Sequence, residues 1–146
     1  MIIEIQNLID KINVSFLALM KNELEKLKVD DINPVQAYIL YKLGEKEVNV
    51  GDISNNKYYN GSNVSYNLKN LVEKDYFTQT ANQQDKRSSR IRISAKGIKL
   101  YKDLHKKFEK YEEEFKSQNI LEKTDIFSIQ HLLAKLENAL NHKLRS

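Results

Sequence analysis

Between Asn60 and Ser94 the hydrophobic repeat changes period, and that change constrains the fold more than any other feature of the chain. Val64, Leu68, Leu71 and Val72 recur at spacings of three and four, which is one apolar stripe on a helix. Asn63, Ser65, Tyr66, Asn67, Lys69 and Asn70 lie between them, hydrogen-bonding side chains in place of the usual Glu/Lys solvent dressing. Further on the period drops to two. Tyr76 to Thr80 is β-prone, and Arg90-Ile91-Arg92-Ile93 alternates so that both isoleucines face inward and both arginines outward. The connection from Ala81 to Ser89 is polar apart from Ala81 and carries Asp85-Lys86-Arg87.

A helix that buries one face and offers Asn, Ser, Tyr and Lys on the other has the chemistry to read base edges in a major groove. Followed at once by a basic hairpin, it has the order of a winged helix-turn-helix. Charge supports this. Residues 57–99 hold nine Lys/Arg against three Asp/Glu, a net of +6, while the whole chain carries +4 and the remainder is therefore −2. Three of the four arginines, Arg87, Arg90 and Arg92, fall within six residues. Arginine suits narrow minor grooves and bidentate phosphate contact.

At 146 residues the length suits one domain, or one domain with helical extensions. One proline and four glycines favour a mainly helical chain. The absence of cysteine excludes disulfides, thiolate zinc sites and thiol redox sensing. No apolar run reaches the length of a membrane span, and the amphipathic start is not a signal peptide, so the expectation is a cytoplasmic protein.

Taken in order, residues 2 to about 28 form one amphipathic helix pattern through Ile5, Leu8, Ile9, Ile12, Phe16, Leu17, Met20, Leu24 and Leu27. It packs on its own domain or, in part, on a second chain. Asn33 caps the next helix with Pro34 at its first position, and Gly44 ends it. Val48 to Val50 is a short strand able to join the hairpin, and Gly51 to Asn56 starts a short helix. Asp75 falls where a left-handed residue should close the recognition helix, which predicts positive φ. Ser94 caps another helix, with Gly97 permitting close backbone approach. Tyr101, Leu104, Phe108, Tyr111 and Phe115 then form a heptad seam. After an interruption at 117–119, Thr124 or Asp125 caps a last helix bearing Phe127, Ile129, Leu132, Leu133, Leu136, Leu140 and Leu144.

These residues resemble the MarR family of bacterial transcription regulators. The resemblance rests on GSNVSYNLKNLVEKDYF, on Asp85-x-Arg87 in a basic wing, and on SAKG opening the following helix. Nearly all of it lies between Asn33 and Gly97. It implies a mainly α fold with a small antiparallel β-wing. A winged helix-turn-helix lobe (about 33–97) is flanked by dimerisation helices (about 1–30 and 98–146). It further implies a homodimer on double-stranded, pseudo-palindromic operator DNA, with Arg87 in the minor groove and Asp85 orienting it. The family's usual glycine after the recognition helix is Asp75 here.

The contact candidates on the recognition helix are Ser62, Asn63, Ser65, Tyr66 and Lys69, each of which would otherwise be a solvated surface residue. In the wing they are Asp85, Lys86, Arg87, Arg90 and Arg92. The plainer alternative for the wing is a basic strand edge that prevents aggregation. Arg90 and Arg92 are expected to divide between phosphate contact and bracing the wing. Tyr58 and Tyr59 reach the DNA backbone or are buried under the helix. Tyr38, Tyr41 and Tyr101 are candidates to line a crevice for a small aromatic effector, against ordinary core packing. His105, His131 and His142 have no metal-ligand spacing, and no nucleotide-binding or nucleophile motif occurs, so no metal, cofactor or catalysis is expected. The competing function is a winged-helix protein-interaction module that does not bind operator DNA.

Overall fold

The computed structural model describes residues 1–55, 63–80 and 89–146. Its elements are α1 (Ile2–Lys26), α2 (Pro34–Leu43), β1 (Val48–Asn49), α3 (Val50–Asn55), α4 (Asn63–Glu73), β2 (Phe77–Thr80), β3 (Arg90–Ile93), α5 (Ala95–Ser117) and α6 (Lys123–Arg145). They fall into two compact units, Met1–His105 and Lys106–Ser146.

In the first unit the helix starts follow local rules. Asn33 and Gln36 form a reciprocal capping box: the Gln36 N–H donates to Asn33 Oδ1 at 2.8 Å and the Asn33 N–H to Gln36 Oε1 at 3.0 Å. Pro34, which has no N–H to satisfy, takes the first turn. Asn49 Oδ1 accepts from the Gly51 N–H at 2.8 Å and opens α3, which draws Val50 out of the strand and into the helix. Ser94 Oγ accepts from the Gly97 N–H at 3.1 Å and opens α5.

Helix ends are closed without much glycine. Lys28, Asp75 and Asn119 all have positive φ, at 59°, 63° and 55°. Each sits in a Schellman motif. For Asp75 the two bonds are Tyr76 N–H to Leu71 C=O at 2.9 Å and Asp75 N–H to Val72 C=O at 3.0 Å. The positive φ expected of Asp75 is therefore present. Gly44 ends α2 with φ 54°.

The sheet is antiparallel in the order β1-β3-β2, so β3 is central. Register pairs Phe77 with Ile93 and Thr78 with Arg92, and Val48 with Ile91. Ile91 and Ile93 are buried while Arg90 and Arg92 are exposed, as the alternation requires. The core gathers Met20 and Leu24 of α1, Ala37, Ile39 and Leu40 of α2, Leu68 and Leu71 of α4, Phe77, and Leu100 and Leu104 of α5. The N-terminal half of α1 contributes nothing to it: Ile2, Ile3, Ile5, Leu8 and Ile12 are exposed.

In the second unit, α5 ends at Ser117 and α6 buries none of its residues, leaving Phe127, Leu132, Leu133, Leu140 and Leu144 exposed. The cap of α6 is Glu122, not Thr124 or Asp125. Asp125 stands three residues inside, where its carboxylate accepts from the Glu122 N–H at 2.8 Å. Its cap-like chemistry is used one turn later than its type suggested.

Candidate nucleic-acid interface

Helix α4 is held on three sides. Val64, Leu68 and Leu71 enter the core, and Asn67, expected on the polar face, is buried with them. The buried arc is wider than the apolar stripe because α4 packs against α2 as well as the sheet. Asn67 Oδ1 accepts from Gln36 Nε2 at 3.2 Å, so the amide that caps α2 also reaches α4.

The exit of α4 is tied to α5. The Tyr76 hydroxyl donates to Asp31 Oδ1 at 2.6 Å, and Lys96 Nζ donates to Asp31 Oδ2 at 2.8 Å and to the Lys74 carbonyl at 2.9 Å. The ammonium stands 4.3 Å from the centre of the Tyr76 ring. Lys96 thus satisfies an orphan carbonyl at the C-terminus of α4 with a positive charge, the favourable sign at that end. Burial opposes ionisation of Asp31, but its bonds to Lys96 and Tyr76 outweigh that and hold the carboxyl below its ordinary value. Burial and the Asp31 bond both push the Tyr76 phenol above its own. None of this network was legible in the sequence, where Asp30-Asp31 reads only as a helix break.

Held in this way, α4 presents Asn63, Ser65, Tyr66 and Lys69 to solvent. Tyr66 is 65% exposed, and Lys69 meets Glu73 at 3.9 Å in a water-exposed pair. On β3 both arginines face the same side. Arg90 lies 4.0 Å from Glu47. Ser62, Asp85, Lys86 and Arg87, with Tyr58 and Tyr59, lie outside the described residues.

The three tyrosines considered for a ligand crevice do not share one place. Tyr41 and Tyr101 pack at 5.4 Å between ring centres, joined by His105, whose Nδ1 is 3.0 Å from the Tyr41 hydroxyl. Tyr38 instead meets Phe16 of α1 edge-on at 5.0 Å. It also lines a cleft of about 540 Å³ between α1, α2 and α4, together with Asn13, Asn63 and Tyr66. Among the described residues no group of His, Asp and Glu could hold a metal, and no helix is long and apolar enough to cross a membrane.

Comparison with known proteins agrees with this geometry. Residues 32–97 match the family described as winged helix DNA-binding domain. The chain is 42% identical over 109 residues to the exopolysaccharide II synthesis transcriptional activator ExpG of Rhizobium meliloti (strain 1021). That match covers 75% of this chain but only 56% of the relative. Among solved structures, Staphylococcus aureus MarR in complex with salicylate and kanamycin superposes with TM-score 0.75 at 21% identity, covering 95% of this chain and 91% of that one. The S. aureus MepR–DNA complex superposes with TM-score 0.70 at 24% identity, covering 92% and 96%. The chain carries a winged helix DNA-binding domain over residues 32–97 and shares its fold with S. aureus MarR and MepR.

Proposed function

We propose that the chain is a homodimeric, sequence-specific DNA-binding regulator of transcription that acts by binding and not by catalysis, in the cytoplasm. The observation that carries the reading is the polar outer face of α4 together with the exposed arginines of strand β3, within a segment of net charge +6. Asn63, Ser65, Tyr66 and Lys69, with Ser62, enter a major groove. The wing, with Asp85, Lys86, Arg87 and Arg92, follows the adjacent minor groove and backbone. Arg90, facing Glu47, braces the wing. Residues 33–97 form the DNA-binding lobe, and about 1–30 and 98–146 serve dimerisation.

The dimer is supported by the exposed apolar faces of α1 and α6, which one copy leaves in water. A second copy covers them and sets two recognition helices roughly 34–36 Å apart, one turn of DNA. A small aromatic effector is part of the proposal. The cleft that Tyr38 lines also includes Asn63 and Tyr66, so a ligand there would touch side chains assigned to the groove.

Fluorescence anisotropy with DNA from the protein's own upstream region, against random duplex at several salt concentrations, tests the proposal. The expected result is tight, specific binding with a steep salt slope, which Arg92→Ala lowers by about one unit. Weak binding, equal on promoter fragments genome-wide and on random DNA, refutes it.

A further inference from the structure

Resting on that reading, we infer that the recognition helix is built to read A·T base pairs, with Asn63 addressing adenine and the Tyr66 ring addressing the thymine methyl group.

In the major groove guanine is read by Arg or Lys, adenine by the paired donor and acceptor of Asn or Gln, and thymine by apolar contact with its methyl group. Helix α4 contains no arginine and one lysine. That lysine, Lys69, enters the groove beyond the first turn, whereas it is the N-terminal residues of a recognition helix that contact base edges. The exposed groups of the first turn are Asn63, Ser65 and Tyr66. Serine reads either kind of pair, so discrimination falls to the other two. Asn67 is withdrawn from reading, because it is 7% exposed and bonded to Gln36. Tyr66 stands apart from the other apolar-bodied side chains of α4. Val64, Leu68 and Leu71 are buried, whereas the Tyr66 ring is 65% exposed. A duplex that brings a methyl group to that ring removes both from water.

A second, independent feature points the same way. Three of the chain's four arginines fall in the wing sequence and none in the recognition helix. Arginine is drawn to minor grooves narrowed by A·T tracts. Base reading by α4 and shape reading by the wing therefore favour one composition.

The test selects sites from a duplex library randomised over roughly two helical turns, using the full-length chain. The half-site under α4 should emerge as A·T pairs. Exchange of one of those pairs for G·C should weaken binding roughly tenfold. Replacing the contacted thymine by uracil deletes only the methyl group. It should weaken binding by the wild type and by Tyr66→Phe, which keeps the ring, but not by Tyr66→Ala. Asn63→Ala should lose preference at the adenine position while binding the rest of the site. Far-ultraviolet circular dichroism confirms that these surface variants fold. Specific selection of a G·C half-site, or indifference of the wild type to uracil, overturns this inference and leaves the regulator standing. If no sequence is enriched at all, the proposed function fails and the inference falls with it.

Discussion

Gly97→Ala sets two effects of known size against each other. Gly97 sits in the first turn of α5, where alanine is the better helix former by about 0.8–1.0 kcal/mol. Propensity alone predicts a more stable protein. The packing predicts the reverse. A Cβ on Gly97 would lie 2.6 Å from Ile93 Cγ1 and closer still to the Tyr76 carbonyl oxygen. The Ile93 side chain is itself buried and has little room to rotate away. The carbonyl is pinned by the Ser94 N–H at 3.0 Å and shares the single Ser94 hydroxyl proton, at 3.0 Å, with the Asp75 carbonyl. Moving it weakens one full hydrogen bond, contributing about 1 kcal/mol, and one shared one. Overpacking of this kind costs about 1–3 kcal/mol, and a pinned backbone neighbour puts the site near the upper limit. The expected net loss is about 2 kcal/mol, after the propensity gain is subtracted. Urea denaturation followed by circular dichroism, at one fixed protein concentration, measures it as a lower midpoint at unchanged slope. Equal or greater stability would show that the α5 start yields easily and that the contact with Tyr76 does not constrain it.

Three further outcomes are expected. Lys28→Gly and Asp75→Gly should each stabilise the fold by roughly 0.5–1 kcal/mol, since left-handed backbone strains an L-residue by more than glycine loses in entropy; lower urea midpoints for both would contradict the closure geometry. Asp31 has a depressed pKa, so its contribution is present above about pH 4 and disappears as pH falls through the lower folded value. Tyr76, raised, contributes fully below about pH 10 and loses its contribution as pH rises beyond that. Asp31→Asn should flatten the acid limb of the stability profile and Tyr76→Phe the alkaline limb, with unchanged limbs counting against the network. In the dimer proposed above, Leu132→Glu combined with Leu133→Glu should leave a monomer by light scattering with residues 1–105 still folded; a dimer that survives both charges would place its interface elsewhere.

What could be read from sequence was whatever depends on neighbours along the chain. The stripe of Val64, Leu68 and Leu71, the alternation at Ile91 and Ile93, the Asn33–Pro34 start and the left-handed Asp75 are all set within a turn or a strand. What a sequence cannot display joins distant positions. Gln36 and Asn67 are 31 residues apart, Asp31 and Tyr76 are 45 apart, and Asp31 and Lys96 are 65 apart. Asn67 shows the difficulty well. By type it belongs on the polar face, and only the position of α2 turns it inward. Tyr38 parts from Tyr41 for a related reason: three residues separate them on α2, but each meets a different neighbouring helix.

The buried Gln36–Asn67 bond has a consequence for reading DNA. Apolar side chains tolerate small rotations of a helix about its axis, because one methyl contact can replace another. An amide pair cannot do so. If α4 turned by one residue, about 100°, Asn67 would lose its partner and Gln36 would be left with an unmet donor in the interior, at a cost of about 1–3 kcal/mol. The bond therefore fixes the angular phase of α4. An uncharged contact on the hidden side of the helix determines which side chains, Asn63 and Tyr66 among them, point outward.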